Sequence, residues 1–210
     1  PDLIKSVKTG ILSNGAIPLE FPTITIHESF ANPTSMYLRN LMSIDTEEML
    51  RAQPMDACVL IGGCDKTVPA QIMGGISADI PIIQLVTGPM LTGSFRGERV
   101  GACTDCRRFW ANYRAEELNN EDIEEVNNQL VPTVGTCGVM GTASTMAIIT
   151  EALGLMVPNS ACAPAVSADR KRIAENTGKI AVKIANENLK PSSFLSKKNF
   201  LNALMVLSSI

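Results

Sequence analysis

A chain of 210 residues with 45% hydrophobic residues can bury a substantial core, as one large domain or a domain with an appendage. Its formal net charge of −3 offers no basic footprint for nucleic acid, and no apolar run reaches the length of a membrane span. Six cysteines without framework spacing fit a reducing cytoplasm, or an organelle matrix, better than a secreted disulfide scaffold.

The sequence begins at Pro1 and ends in the apolar run 204–210 with no stop signal, the pattern expected of a piece cut from something longer. Leu3, Ile4, Val7, Ile11 and Leu12 recur at helical spacing, and Gly15 stops that helix. The β-branched run 23–26 predicts a strand with His27 and Glu28 at its end. A lone histidine is more often structural or solvent-facing than a ligand, and Glu28 by itself is a loop acid. Asn32-Pro33-Thr34-Ser35 starts a helix whose Met36, Leu38, Leu41 and Met42 form a core stripe. Asp45-Thr46-Glu47-Glu48 carries a further helix start, and Pro54 ends that helix.

The apolar run 57–61 predicts a strand that leads into Gly62-Gly63-Cys64-Asp65-Lys66-Thr67-Val68-Pro69-Ala70, where Pro69 suits the first turn of a helix. A thiol, a carboxylate and an amine thus sit on three consecutive residues of a strand-to-helix turn. Ligands of open α/β sheets collect at such places, where helix amino termini offer free N–H groups. The plain alternative is that Asp65 caps the helix, Lys66 is solvated and Cys64 is a small buried hydrophobe.

The run 81–86 predicts a strand buried on both faces, and strand, helix, strand at this pitch is a parallel crossover unit. The glycine-punctuated loop 87–97 either lines a pocket or is a strained turn; it lacks the Gly-Lys-Ser/Thr ending of a phosphate loop, and no dinucleotide fingerprint occurs. Cys103-Thr104-Asp105-Cys106 has no second pair to complete a zinc site, so its thiols are expected to be reduced and non-catalytic. Residues 119–126 predict an acidic, solvated helix, and Cys58 and Cys162 are expected to pack as small hydrophobes.

Leu130, Val131 and Val134 then approach a second glycine-flanked cysteine, in Gly135-Thr136-Cys137-Gly138-Val139-Met140-Gly141, before another helix start. Two cysteines placed alike on two strand-to-helix turns could ligate one metal centre if the fold brings them together. Past Gly154, an amphipathic helix is expected over about 168–188, interrupted at Gly178, with a terminal helix from 196. The pattern as a whole predicts an α/β domain, three layers α/β/α with a largely parallel central sheet.

Cys64-Asp65-Lys66-x-x-Pro69 and Gly135-x-Cys137-x-x-Met140-Gly141-Thr142-Ala143-Ser144-Thr145-Met146 resemble the two signatures of the dihydroxy-acid and sugar-acid dehydratase family. The resemblance runs over the whole chain, and residues 21–75 are nearest the aldonate branch of arabinonate and xylonate type. That branch has a glutamate after the strand preceding the Cys-Asp-Lys turn, where Glu28 stands here; branched-chain members have an aspartate in a Ser-Asp-Gly context.

The resemblance implies most of an N-terminal cluster- and Mg-binding α/β domain, with residues 165–210 a helical segment packing toward an absent C-terminal domain. The activity it implies is that of a hydro-lyase converting a sugar acid to a 2-keto-3-deoxy acid. It assigns Cys64 and Cys137 to a [2Fe-2S] cluster and Glu28 and Asp65 to Mg²⁺, and makes Lys66, carbamylated by carbon dioxide, the remaining ligand of this stretch. A cationic amine repels Mg²⁺, whereas a carbamate supplies anionic oxygen. A third cluster cysteine, a serine base and a further magnesium-binding acid are expected outside this sequence, so the fragment alone is expected to be inactive. A homo-oligomer, dimer or dimer of dimers, is also implied. The other readings are the dihydroxy-acid dehydratase of branched-chain amino-acid synthesis, and a non-enzymatic module in which Cys64, Cys103, Cys106 and Cys137 hold a structural metal.

Overall fold

In the computed structural model, which describes residues 2–26 and 31–210, the aliphatic runs on either side of the Cys64 turn form parallel strands. These are β1 (Cys58–Gly62) and β2 (Ile82–Val86), in register from Cys58 opposite Ile82 to Gly62 opposite Val86. Helix α3 (Thr67–Ala78) connects them, as the crossover pattern predicts. His27 and Glu28 lie outside the described residues, as do the side chains of Cys103 and Thr104.

Alternation along the strands divides the interior in two. Cys58, Leu60, Ile82 and Val86 join Val68 and Ile72 of α3, Ala147 of α6 (Thr142–Ala152) and Ala203 of α9 (Lys197–Leu207). On the other face Ile83 packs on Ala181 and Ile184 of α7 (Ala168–Asn186), and Leu85 on Ala174 of α7 and Val7 of α1 (Asp2–Leu12). Helices therefore cover both faces of a parallel sheet, which is the expected three-layer α/β/α arrangement. The sheet is small: among the described residues two strands pair in it, and the free edge of β2 is covered by the Leu155 segment, whose carbonyl accepts Gln84 N at 2.7 Å.

Three local expectations give way to competing partners. The β-branched run 23–26 is extended chain without a ladder, because Ile24 N donates to Asp45 Oδ2 at 2.7 Å and the Thr25 and Thr67 hydroxyls pair at 2.8 Å. The acids at 45–48 start no helix; a 3₁₀ turn, Ser35–Leu38, runs straight into α2 (Arg39–Ala52), with Asp45 in its middle and Thr46 buried, donating to Met42 O at 2.9 Å. Gly178 does not interrupt α7. There α1 and α7 approach backbone to backbone, as they do at Gly10: a Cβ on Gly178 would lie 2.2 Å from Val7 O, and one on Gly10 2.0 Å from Glu175 O. Gly10→Ala should therefore lower stability by about 1–3 kcal/mol, seen as a reduced urea midpoint. An unchanged midpoint would mean that the two helices part without cost.

Residues 93–130 build a satellite core of their own. A hairpin of β3 (Gly93–Phe95) and β4 (Glu98–Val100) packs with α4 (Ala102–Arg114) and α5 (Asn120–Leu130) around Phe95, Val100, Phe109, Ile123, Val126 and Leu130. The Phe95 and Phe109 rings meet edge to face with centroids 5.4 Å apart. The end of the glycine-punctuated loop forms the first strand and turn of this hairpin, while Gly88 and Pro89 at its start line a cavity, and Cys106 packs against the cluster. Near the end of the chain α8 (Pro191–Phe194) is pinned to α3 by Ser192, whose N and Oγ donate to the Asp79 carboxylate at 3.0 and 2.8 Å. Those two bonds hold the Asp79 pKa below its ordinary value. Among the described residues no helix is long and apolar enough to cross a membrane.

Candidate functional site

The first turn is built by glycine. After β1, a Cβ on Gly63 would lie 2.1 Å from Thr87 Oγ1 and 3.0 Å from Thr136 Cγ2, so only a residue without one lets three segments converge there. Cys64, Asp65 and Lys66 follow, and α3 begins with Lys66 in the N-cap position and no side-chain cap. Asp65 therefore does not cap the helix. Its carboxylate instead accepts the Cys64 thiol at 2.9 Å and the Lys66 ammonium at 3.0 and 3.1 Å through its two oxygens.

Lys66 is not solvated either, being only 5% exposed. A buried ammonium requires a counter-charge, and the adjacent carboxylate supplies one. Cys64 is half-buried, and desolvation, together with the hydrogen bond it donates to Asp65, raises its pKa above the usual thiol value. The plain alternative of cap, solvated amine and inert thiol thus fails for the first two residues of its three.

Beneath this turn lies a polar layer that the apolar character of the 81–86 run concealed. Gln84 is 2% exposed in the middle of β2, and its Nε2 donates to Gln71 Oε1 at 2.9 Å. Gln71 Nε2 in turn donates to Ile61 O at 3.1 Å. The pair ties the second turn of α3 to both strands and so fixes the angle at which the helix leaves the site. The legible signal was one polar residue at the centre of an aliphatic strand.

The second turn differs from its expected form. Leu130 closes α5 rather than opening a strand, and 131–137 is irregular, with Val131 and Val134 exposed. Pro132 lacks an N–H and Gly135 adopts φ +138°, both incompatible with a continuing ladder. The segment reaches the sheet through one parallel bridge, in which Thr136 N donates to Gly88 O at 3.0 Å and Met90 N donates to Thr136 O at 2.9 Å. Cys137 follows, half-buried, and α6 begins after Gly141 with Ser144 Oγ donating to Val139 O at 3.1 Å.

The two turns meet. Gly63 precedes Cys64, Thr136 precedes Cys137, and it is these two residues that touch at the end of the sheet. A cavity of about 180 Å³ opens there, lined in part by Gly63, Gly88, Thr136, Gly138, Ser144 and Cys162. Cys162 is exposed on its rim, which corrects the expectation of a packed hydrophobe. Cys58 does pack in the core, where burial pushes its pKa up to about 12.

The predicted site residues are thus distributed unevenly. Cys64, Asp65 and Lys66 form one contact group, and Cys137 stands on the neighbouring turn. Cys106 sits against the satellite core with Tyr113 and Leu118, among apolar neighbours. Among the described residues no three His, Cys, Asp or Glu side chains gather closely enough to hold a metal ion. The donor set at the sheet end has the chemistry to contribute to two kinds of centre: thiol sulfur from two turns suits a soft metal, and the Asp65 carboxylate suits a hard one.

Comparison with known proteins identifies the family. The family model described as dihydroxy-acid/6-phosphogluconate dehydratase N-terminal matches residues 1–210. An L-arabinonate dehydratase of Rhizobium leguminosarum bv. trifolii is 42% identical over 209 residues, 100% of this chain and 36% of that protein. A D-xylonate dehydratase of Caulobacter vibrioides is 39% identical over 99% of this chain and 35% of its own length. A dihydroxy-acid dehydratase of Methanococcus maripaludis is 37% identical over 97% of this chain and 38% of its own. The chain spans a little over a third of the length of these relatives.

Proposed function

The chain belongs to the dihydroxy-acid/6-phosphogluconate dehydratase N-terminal family, and from that premise we propose that the whole protein is a hydro-lyase that removes water from a sugar acid to give a 2-keto-3-deoxy acid. The observation that carries the proposal is the junction of the Cys64-Asp65-Lys66 turn with the Cys137 turn through Gly63 and Thr136. An aldonate is favoured over a branched-chain dihydroxy acid by Glu28 in the position where the branched-chain branch has aspartate, and by identities of 42% and 39% to the arabinonate and xylonate enzymes. The 37% identity to a dihydroxy-acid dehydratase keeps that substrate as the second reading.

Elimination of water requires removal of the proton beside the carboxylate and departure of hydroxide from the next carbon, after which the enol tautomerises to the keto acid. A magnesium ion and an iron–sulfur cluster would supply Lewis acidity toward the substrate carboxylate with its neighbouring hydroxyl, and toward the leaving hydroxyl. Cys64 and Cys137 would hold the cluster, and Asp65, Glu28 and a carbamylated Lys66 would hold magnesium. The described chain ahead of Glu28 is tied to the start of α3 at Thr25, whose hydroxyl pairs with that of Thr67.

The remaining work belongs to the chain's own groups. The buried Lys66 ammonium and the Cys64 thiol both donate to the Asp65 carboxylate and orient it, and the thiol would lose its proton on binding a metal. The catalytic base is expected outside these residues, so that the domain binds and orients while another part of the protein moves the proton. The test is keto-acid release by the whole protein, purified without oxygen and supplied with Mg²⁺, from a panel of pentonates, hexonates and 2,3-dihydroxyisovalerate. Turnover of a sugar acid is expected; turnover of the branched acid alone would move the protein to the second reading, and none from iron- and sulfide-replete protein would end the hydro-lyase reading.

A further inference from the structure

Arg170, the third residue of α7, is wholly buried and heads the fully buried side chains by size among the described residues. Its guanidinium is satisfied by main-chain carbonyls: Nη1 donates to Val86 O at 2.9 Å, Nε to Ala163 O at 3.2 Å, and Nη2 to the same oxygen. Burial lowers the arginine's pKa, and the nearby Cys162 opposes that shift only in part. Burying a cation without a carboxylate is costly, and an apolar side chain would fill the same space more cheaply. What arginine adds is a rigid fork that bridges two separate strands of main chain.

The bridged segments lead to the site. Gly88, at φ +89°, lies so close that a Cβ there would be 2.8 Å from Arg170 Nε and 2.9 Å from Nη2. Gly88 O accepts Thr136 N at 3.0 Å, and Pro89 O accepts Ala165 N at 2.9 Å, so the segments at 86–89, 136 and 163–165 are laced together in front of the guanidinium. We propose that Arg170 is a positioning residue for the Cys137 turn: by clamping Val86 and Ala163 it fixes the Gly88 carbonyl on which Thr136 hangs, and so holds Cys137 beside the Cys64 turn. The proposal rests on the reading that these two cysteines serve one site.

The test is cysteine-resolved alkylation of the whole protein, freed of metal by chelation and treated with iodoacetamide, with peptide mass spectrometry reporting each thiol. Cys58, 6% exposed in the main core, is an internal reporter of general unfolding. In Arg170→Met, Cys137 should label about tenfold faster while Cys58 stays protected. Arg170→Lys keeps the charge but cannot span both carbonyls, so it should label like the methionine variant, and it decides alone if that variant does not fold. Unchanged Cys137 labelling, a rise of Cys58 and Cys137 together, or a lysine variant that behaves as wild type would each overturn the proposal. Because the readout needs neither cluster nor substrate, it can fail while the keto-acid assay succeeds, and the reverse.

Discussion

Lys66→Gln in the whole protein should lower keto-acid turnover by about 10²-fold or more, the scale at which single electrostatic groups act at a reacting centre. The side chain is almost wholly buried at the end of the sheet, with its nitrogen on Asp65, so glutamine fills much of the same volume and still offers a donor to that carboxylate. The expected loss of stability is accordingly only about 1–3 kcal/mol. Lys66→Arg separates two explanations: arginine keeps a cation beside Asp65 but forms no carbamate, and it should be as inactive as glutamine if the proposed carbamate supplies oxygen to magnesium. An active arginine variant would leave charge alone as the role of Lys66, and an active glutamine variant would remove Lys66 from the chemistry.

Gly135→Ala attacks the same site from its other turn. At φ +138° an alanine is strained whatever space surrounds it, and here its Cβ would lie 2.4 Å from Met90 N and 2.6 Å from the Pro89 carbonyl carbon, backbone atoms with little room to yield. The strain costs about 1–3 kcal/mol, and its relief would push Thr136 off Gly88 and Met90, breaking the bridge that leads Cys137 to the sheet. The expected result is a folded protein with depleted iron and sulfide per chain and a proportionate loss of turnover. Gly15→Ala is the control, since Gly15 also has positive φ, +80°, but nothing within 4 Å of its Cβ position. Full iron content in Gly135→Ala would detach the Cys137 turn from the proposed site.

What the sequence made legible is what depends on local pattern. The strands at β1 and β2 followed from apolar runs, interrupted in β2 by Gln84 alone, and α7 from its amphipathic spacing, because burial on both faces of a sheet or on one stripe of a helix leaves a trace in the sequence. The Cys64 turn was legible because glycine, thiol, acid and amine stand together between two such runs. What failed depended on partners distant in sequence. The run 23–26 has every local mark of a strand, yet Asp45 and Thr67 supply its hydrogen bonds; the acids at 45–48 look like a cap, yet Asp45 serves Ile24 from mid-helix. Gly178 looks like a breaker because nothing local shows that Val7 passes 2.2 Å from its missing Cβ. Arg170 was invisible for the same reason, since its carbonyl at Val86 lies 84 residues away.

The satellite core drawn from residues 93–130 is continuous in sequence, shares none of its buried members with the main core, and ends one short irregular segment before Cys137. Such a unit can open as a foldon, with a free energy below that of global unfolding. Cys64 follows β1 of the strand pair, and Cys137 closes the tether 131–136 that runs from the foldon to the Gly88 and Met90 backbone. A ligand held by both cysteines, as proposed, would pin the end of that tether, so loading is expected to slow amide exchange across β3, β4, α4 and α5 by mass action. Occupancy of the proposed site would thereby be coupled to the order of a helical hairpin unit that supplies none of its proposed donors.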